Sequence, residues 1–109
     1  MSRHEKHNGW CNVETFTVAS WINNEEGSQD WWLERAQQAL EDAQESKYFT
    51  KEEEAVFLLA EELKDYFEDS HELTLEHSGL YYDLLMGALQ IVDWREVAES
   101  ILETAKENV

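Results

Sequence analysis

The sequence predicts an all-α fold: a compact, bundle-like domain of four to five helices. Three observations lead there. Proline is absent and glycine occurs only four times, so little interrupts a helix. Apolar residues recur at steps of three and four through most of the chain. Thr50 with Glu53, and Asp93 with Glu96, have capping-box spacing just ahead of two of those runs.

Residues 1–10 are polar and unpatterned up to Trp10 and read as a flexible tail, which leaves 11–109 as a single helical domain. Asn12 is placed to cap a first helix over about 13–24, with Val13, Phe16 and Ala19 inward, Trp21 and Ile22 closing the face, and Gly27 ending it. Ser28 or Asp30 would cap a second, whose Trp32, Ala36, Ala39, Leu40 and Ala43 form one stripe up to about Lys47. A third follows Thr50 and turns Ala55, Val56, Leu59, Leu63, Tyr66 and Phe67 to one side, fraying between Asp69 and Glu72. The stretch 71–79, with Leu73 and Leu75 alternating, fits either a helix or an extended segment. Beyond Gly79, Tyr81, Leu84, Leu85, Ala88, Leu89 and Val92 make the most apolar run, expected to be the central helix, with Gly87 allowing close packing. Val97, Ala98, Ile101, Leu102 and Ala105 mark the last.

Apolar residues make up 42% of the 109, five of them tryptophan, which is enough to build a core despite the charge. That charge is −17, from 25 acidic and 8 basic residues. Such an excess argues against nucleic acid or an anionic membrane as direct partner and points to a basic protein surface. Cys11 is the one cysteine, so no internal disulfide forms, and a small apolar packing role suits it better than a reactive one. With no long apolar run and no leader-like start, the expectation is a cytoplasmic protein without a membrane span.

The acidity is concentrated. Between Glu52 and Asp93 stand twelve acidic residues and one lysine, Lys64. At 100° per residue, Glu54, Glu61, Asp65, Glu68 and Glu72 fall within about 40° of one line, with Glu62, Asp69 and Glu76 beside it. An amphipathic helix has a solvated polar face in any case, but such faces normally mix signs, because like charges three or four residues apart repel by a few tenths of a kcal/mol per pair. If the helix runs to Glu76, seven such pairs sum to about 2 kcal/mol at low salt. Eight carboxylates over roughly 33 Å give about one charge per 4 Å, close to the roughly 3.4 Å phosphate spacing along one DNA strand. A basic groove that holds a nucleic-acid backbone would accept such a face.

Catalytic patterns are missing. There is no G-x-S-x-G and no glycine-rich phosphate loop. His4 with His7, and His71 with His77, lack the third and fourth ligands of a rigid zinc site, so no metal is expected. Exposed pairs such as Glu61 and Asp65 lack the burial that separates an acid from a base. The expectation is a non-enzyme without cofactors. Trp21, Trp32 and Trp94 sit where a core would use them, whereas an exposed Trp31 would suit an interface, with a homodimer or with a target protein.

The stretch NVETFTVASWINNEEG, residues 12–27, resembles the N-terminal motif of a family of small uncharacterised phage, plasmid and bacterial proteins, N-x-E-T-[WF]-x-V-A-x-W-I-x-N-x-E-G. Asn12, Glu14, Thr15, Val18, Ala19, Trp21, Ile22, Asn24, Glu26 and Gly27 carry the match, with Phe16 where tryptophan is usual. VDWREVAESIL, residues 92–102, is similar to that family's last helix. The resemblance brings no catalytic residues and implies a mobile-element context. In size and charge the chain also resembles the DNA-mimic proteins that disarm restriction or CRISPR complexes. The function expected is therefore an acidic inhibitor that occupies the basic groove of such a complex, with Glu54, Glu61, Glu62, Asp65, Glu68, Asp69, Glu72, Glu76 and Trp31 as contacts. The alternative is an interaction module or small oligomeric accessory protein built on an exposed aromatic patch.

Overall fold

A computed structural model describes residues 9–24, 26–68 and 79–107, apart from the side chains of Glu26 and Tyr81. Within these residues the chain forms five helices: α1 Val13–Asn24, α2 Glu26–Asp42, α3 Lys51–Glu68, α4 Leu80–Ile91 and α5 Trp94–Glu107. The fold is all-α. Most of the expected tail, the 71–78 link, and Asp69, Glu72 and Glu76 lie outside the described residues.

The core is organised on α5. Its Trp94, Val97, Ala98, Ile101, Leu102 and Ala105 are all buried, as the periodicity requires. This face packs mainly on α3 and α2 and also touches α1. Opposite it, α2 offers Trp32, Ala36 and Ala39, with Ala43 buried just past its end, and α3 offers Ala55, Leu59 and Leu63. The alanines let α2 approach closely, and Trp32 fills the volume they leave. An aromatic series ties the layers together: the Trp32 ring stacks on Phe67 at 6.3 Å between centroids, and Phe67 stacks on Trp94 at 5.6 Å.

Several local expectations are corrected. The buried line of α1 is Thr15, Ala19 and Ile22, and Val13 and Trp21 face outward, Trp21 at 65% exposure. Thr15 faces inward because its hydroxyl is paired with Asn12 and with the Asp93 amide, so the face is rotated from the purely apolar choice. Gly27 does not close α1. It lies in the first turn of α2 without a left-handed φ, a conformation confined among the glycines to Gly9 and Gly79. Helix α2 stops at Asp42, short of Lys47. There the Ser46 hydroxyl accepts hydrogen bonds from the amides of Tyr48 and Phe49 at 3.3 and 3.1 Å, a local turn that competes with further helix. The most apolar helix, α4, is peripheral: among the described residues its backbone comes close to α1 and α3 and not to α2 or α5. Its Leu80 and Leu84 are 68% and 61% exposed, and among its described side chains Leu89 alone is buried. Gly87 faces open space among the described residues, with no close packing against it there.

Neither Ser28 nor Asp30 caps α2, because the helix already begins at Glu26 and both lie inside it. The other capping predictions are met with one variation. Thr50 and Glu53 form the reciprocal box, both bonds 3.1 Å. Asp93 Oδ1 accepts the Glu96 amide at 3.1 Å, but the Glu96 carboxylate turns instead to the Cys11 amide at 3.0 Å. Asp93's own amide donates to Thr15 Oγ1 at 2.9 Å. Thr15 Oγ1 in turn donates to Asn12 Oδ1 at 2.7 Å, which also accepts the Thr15 amide at 2.8 Å, and Asn12 Nδ2 reaches the Ile91 carbonyl at 3.0 Å. Asn12 and Thr15 thus cap α1 and pin it to the α4–α5 turn in one fully paired network. Replacing Thr15 by valine keeps the shape but leaves the Asp93 amide without its acceptor. Urea denaturation should show a loss of about 1–3 kcal/mol for Thr15→Val, against less than about 0.5 kcal/mol for the exposed Trp21→Ser.

Candidate functional site

Helices α2 and α3 run antiparallel, as their cross-seam partners show: Trp31 meets Tyr66, and Arg35 meets Glu62. From α3, Glu61 and Asp65 project into solvent, while Glu54, Glu62 and Glu68 are half-buried. The expected stripe is therefore present for Glu54, Glu61, Asp65 and Glu68, and none of the four joins an ion pair among the described residues. Glu62 departs from it. Its carboxylate accepts the Nε–H of Arg35, and this hydrogen bond, with the attraction that accompanies it, raises the guanidinium above its ordinary range.

Other parts of the acidity have local uses. Glu52, Glu53 and Glu54 occupy the first turn of α3, where negative charge suits the exposed amides of a helix N-terminus. Glu52 also takes the Lys106 ammonium at 2.8 Å. Toward the C-terminal end of α3 the sign is unfavourable. No basic residue stands in its last turn, and Glu68 lies against the partial negative end of the helix. Of the like-charge pairs foreseen, 61 with 65, 62 with 65 and 65 with 68 fall within the described residues. They oppose folding by about 1 kcal/mol at low salt, less where Arg35 relieves Glu62.

Two features of this surface were not singled out from the sequence. Asp30, Glu34 and Glu41 form a second exposed acidic ridge along α2. Its signal was available, since steps of four and seven from Asp30 put all three on one helical line. The second feature is the seam between the ridges. Trp31 and Tyr66, each 42% exposed, meet there at 5.5 Å, and Leu58 is 41% exposed further along. Beside Leu58 lies a notch of about 410 Å³ bordered by Arg35, Gln38, Asp42, Glu54 and Glu62. Three carboxylates against one arginine leave it negative.

Several of the cations gather elsewhere. Lys47 lies over the Tyr48 ring, Arg95 sits 5.7 Å from the Phe57 centroid and 3.1 Å from Glu99, and Lys106 holds Glu52. A smaller cavity of about 230 Å³ opens beside Arg95 and Lys106, between Leu40, Val56 and Leu102 and charges of both signs. At the α1–α5 junction, the Cys11 thiol lies 3.5 Å from Thr15 Oγ1 and near Asp93 and Glu96. Burial, then the two carboxylates, push its pKa up, with the Thr15 hydrogen bond opposing, so the thiol stays protonated at neutral pH and is a poor nucleophile. The half-buried Cys11 is part of the cap network.

Glu53 supplies a pH signature. The hydrogen bonds from the Thr50 amide and hydroxyl, aided by Arg95, hold its carboxyl below the ordinary 4.5. A pKa depressed on folding adds stability that is present above the unfolded value and lost as pH falls through the folded one. Thermal melts of Glu53→Gln should therefore show a shallower loss of stability below about pH 4.5 than the parent protein, with the two converging in strong acid.

Comparison with protein-family models, curated proteins and solved structures finds no match to this chain.

Proposed function

We propose that this protein is an acidic DNA mimic that inhibits a nucleic-acid-binding complex of the restriction or CRISPR-effector type by occupying its basic groove. The observation that carries the proposal is the acidity of α3, where Glu54, Glu61, Asp65 and Glu68 join no ion pair among the described residues. The α2 ridge extends the same sign across the seam. A basic channel built for phosphates gains attraction from such a surface and can release its own counterions to it, so the affinity falls steeply with salt. The resemblance of residues 12–27 to proteins of phages and plasmids supports a setting in which disarming a defence complex is useful. Its Asn12 and Thr15 act in capping, which leaves the motif structural and the charged faces available for recognition.

A second reading, an interaction module or oligomeric accessory protein without mimicry, draws on the exposure of Trp31 and Tyr66. One experiment separates the two. Purified restriction endonucleases and CRISPR effector complexes are loaded with labelled DNA and challenged with this protein and with Glu61→Lys/Asp65→Lys/Glu68→Lys. Mimicry expects displacement of DNA from at least one complex, abolished by the triple reversal and weakened at least ten-fold between about 0.05 and 0.2 M salt. Displacement that the reversal leaves intact, or its absence throughout the panel at low salt, overturns the proposal.

A further inference from the structure

The seam between α2 and α3 joins three things that the acidic ridges alone do not: an exposed aromatic pair, an exposed aliphatic side chain and a negative notch, in line. We infer that this seam is the docking track for an arginine-bearing helix of the partner. The inference rests on the mimic reading and adds the chemistry of what is recognised.

Charge selects the occupant. A second copy of this chain would bring −17 against two negative ridges, and nucleic acid would be repelled in the same way. The seam's own cation, Arg35, is already engaged by Glu62. Among the described residues no second cation borders the notch, which leaves room for a foreign one. Among cations, arginine fits both ends: its guanidinium lies flat on indole or phenol rings, and it accepts two carboxylate contacts at once, which a lysine ammonium matches less well. Trp31 and Tyr66, tilted at 44° to each other, present ring surface to solvent at one end. At the other, Asp42 and Glu54 stand beside the apolar floor of Leu58. That floor suits the methylene stem of an arginine whose head reaches the carboxylates.

Spacing selects the form. Trp31 to Gln38 is seven residues and Trp31 to Asp42 is eleven, roughly 10 and 16 Å along α2. On a partner helix, arginines seven and eleven residues apart cover the same distances and lie on one face, because both intervals are close to whole turns. A helix lying along the seam can therefore place one arginine on the rings and another in the notch. Along the way its backbone passes between the two acidic ridges, which steer it by long-range attraction.

The test uses synthetic alanine–glutamine helices that contain no tryptophan, so that the protein's own fluorescence reports binding. One peptide carries three arginines on a single face, at those seven- and eleven-residue intervals. A second has the same composition with the arginines spread around the helix. The single-face peptide is expected to bind at least ten-fold more tightly. Asp42→Asn/Glu54→Gln, which preserves shape, should erase that preference, as should Trp31→Ala. Glu61→Gln/Asp65→Asn should weaken both peptides alike. Equal binding of the two peptides to the parent protein overturns the seam, and if DNA displacement persists in that case the mimic reading still stands. Loss of displacement in the ridge-reversal variant with the peptide preference intact supports both. Self-association of the free protein at low salt that Trp31→Ala abolishes would also overturn the inference, because the aromatic pair would then serve a second copy.

Discussion

The seating of α5 against α2 and α3 is the interaction on which the rest depends. Its Val97, Ile101 and Leu102 lose nearly all contact with water, and each such side chain contributes about 1.5–3 kcal/mol when buried. Repulsion among neighbouring carboxylates on α3 amounts to tenths of a kcal/mol per pair. The core therefore outweighs the surface by a wide margin. A chain this acidic can fold without neutralising itself, and its outer faces are free to be shaped by something other than stability. The stacked series Trp32, Phe67 and Trp94 extends the same apolar contact toward the seam, so that exposed Trp31 and Tyr66 rest on a fixed base.

Where charge is used internally, the use is local and specific. Glu53 closes a capping box, Asp93 and Glu96 cap and tether, Glu52 meets Lys106, and Glu62 meets Arg35. These roles lie at helix ends or across helix pairs. The residues left over, Glu61, Asp65 and Glu68 on α3 with Asp30, Glu34 and Glu41 on α2, lie along helix flanks and join no ion pair among the described residues. This division separates acids that hold the fold from acids available to another molecule.

Helix number, helix type and most of the core were legible in the sequence because they follow from periodicity and caps. The α5 face was read residue by residue, and the Thr50–Glu53 box was foreseen in both halves. Rotation about a helix axis was harder to read. Thr15 displaced Val13 from the buried line of α1 because a hydroxyl with two partners packs inside as readily as a methyl group, and those partners, Asn12 and Asp93, come from different parts of the chain. Apolarity also misled for α4, since a rich apolar run shows that a helix has a face to cover but does not set its place among the others. The candidate surface was legible on α3 alone. Its second wall on α2, the Arg35–Glu62 pair and the exposed Tyr66 depend on which helix lies beside α3, and no local pattern in the sequence encodes that neighbour.

The central claim is that the acidic flank of α3 opposes the stability of the free protein and is retained for an external cation. Its most direct test is the thermal midpoint of Glu61→Gln/Asp65→Asn/Glu68→Gln beside the parent protein at neutral pH and low ionic strength. Relief of the repulsion should raise the midpoint by a few degrees, about 2–5 °C, and should shrink the stabilisation that added salt gives the parent. A lower midpoint for the neutralised protein, or an undiminished response to salt, would contradict the claim, because those carboxylates would then be serving the protein's own fold.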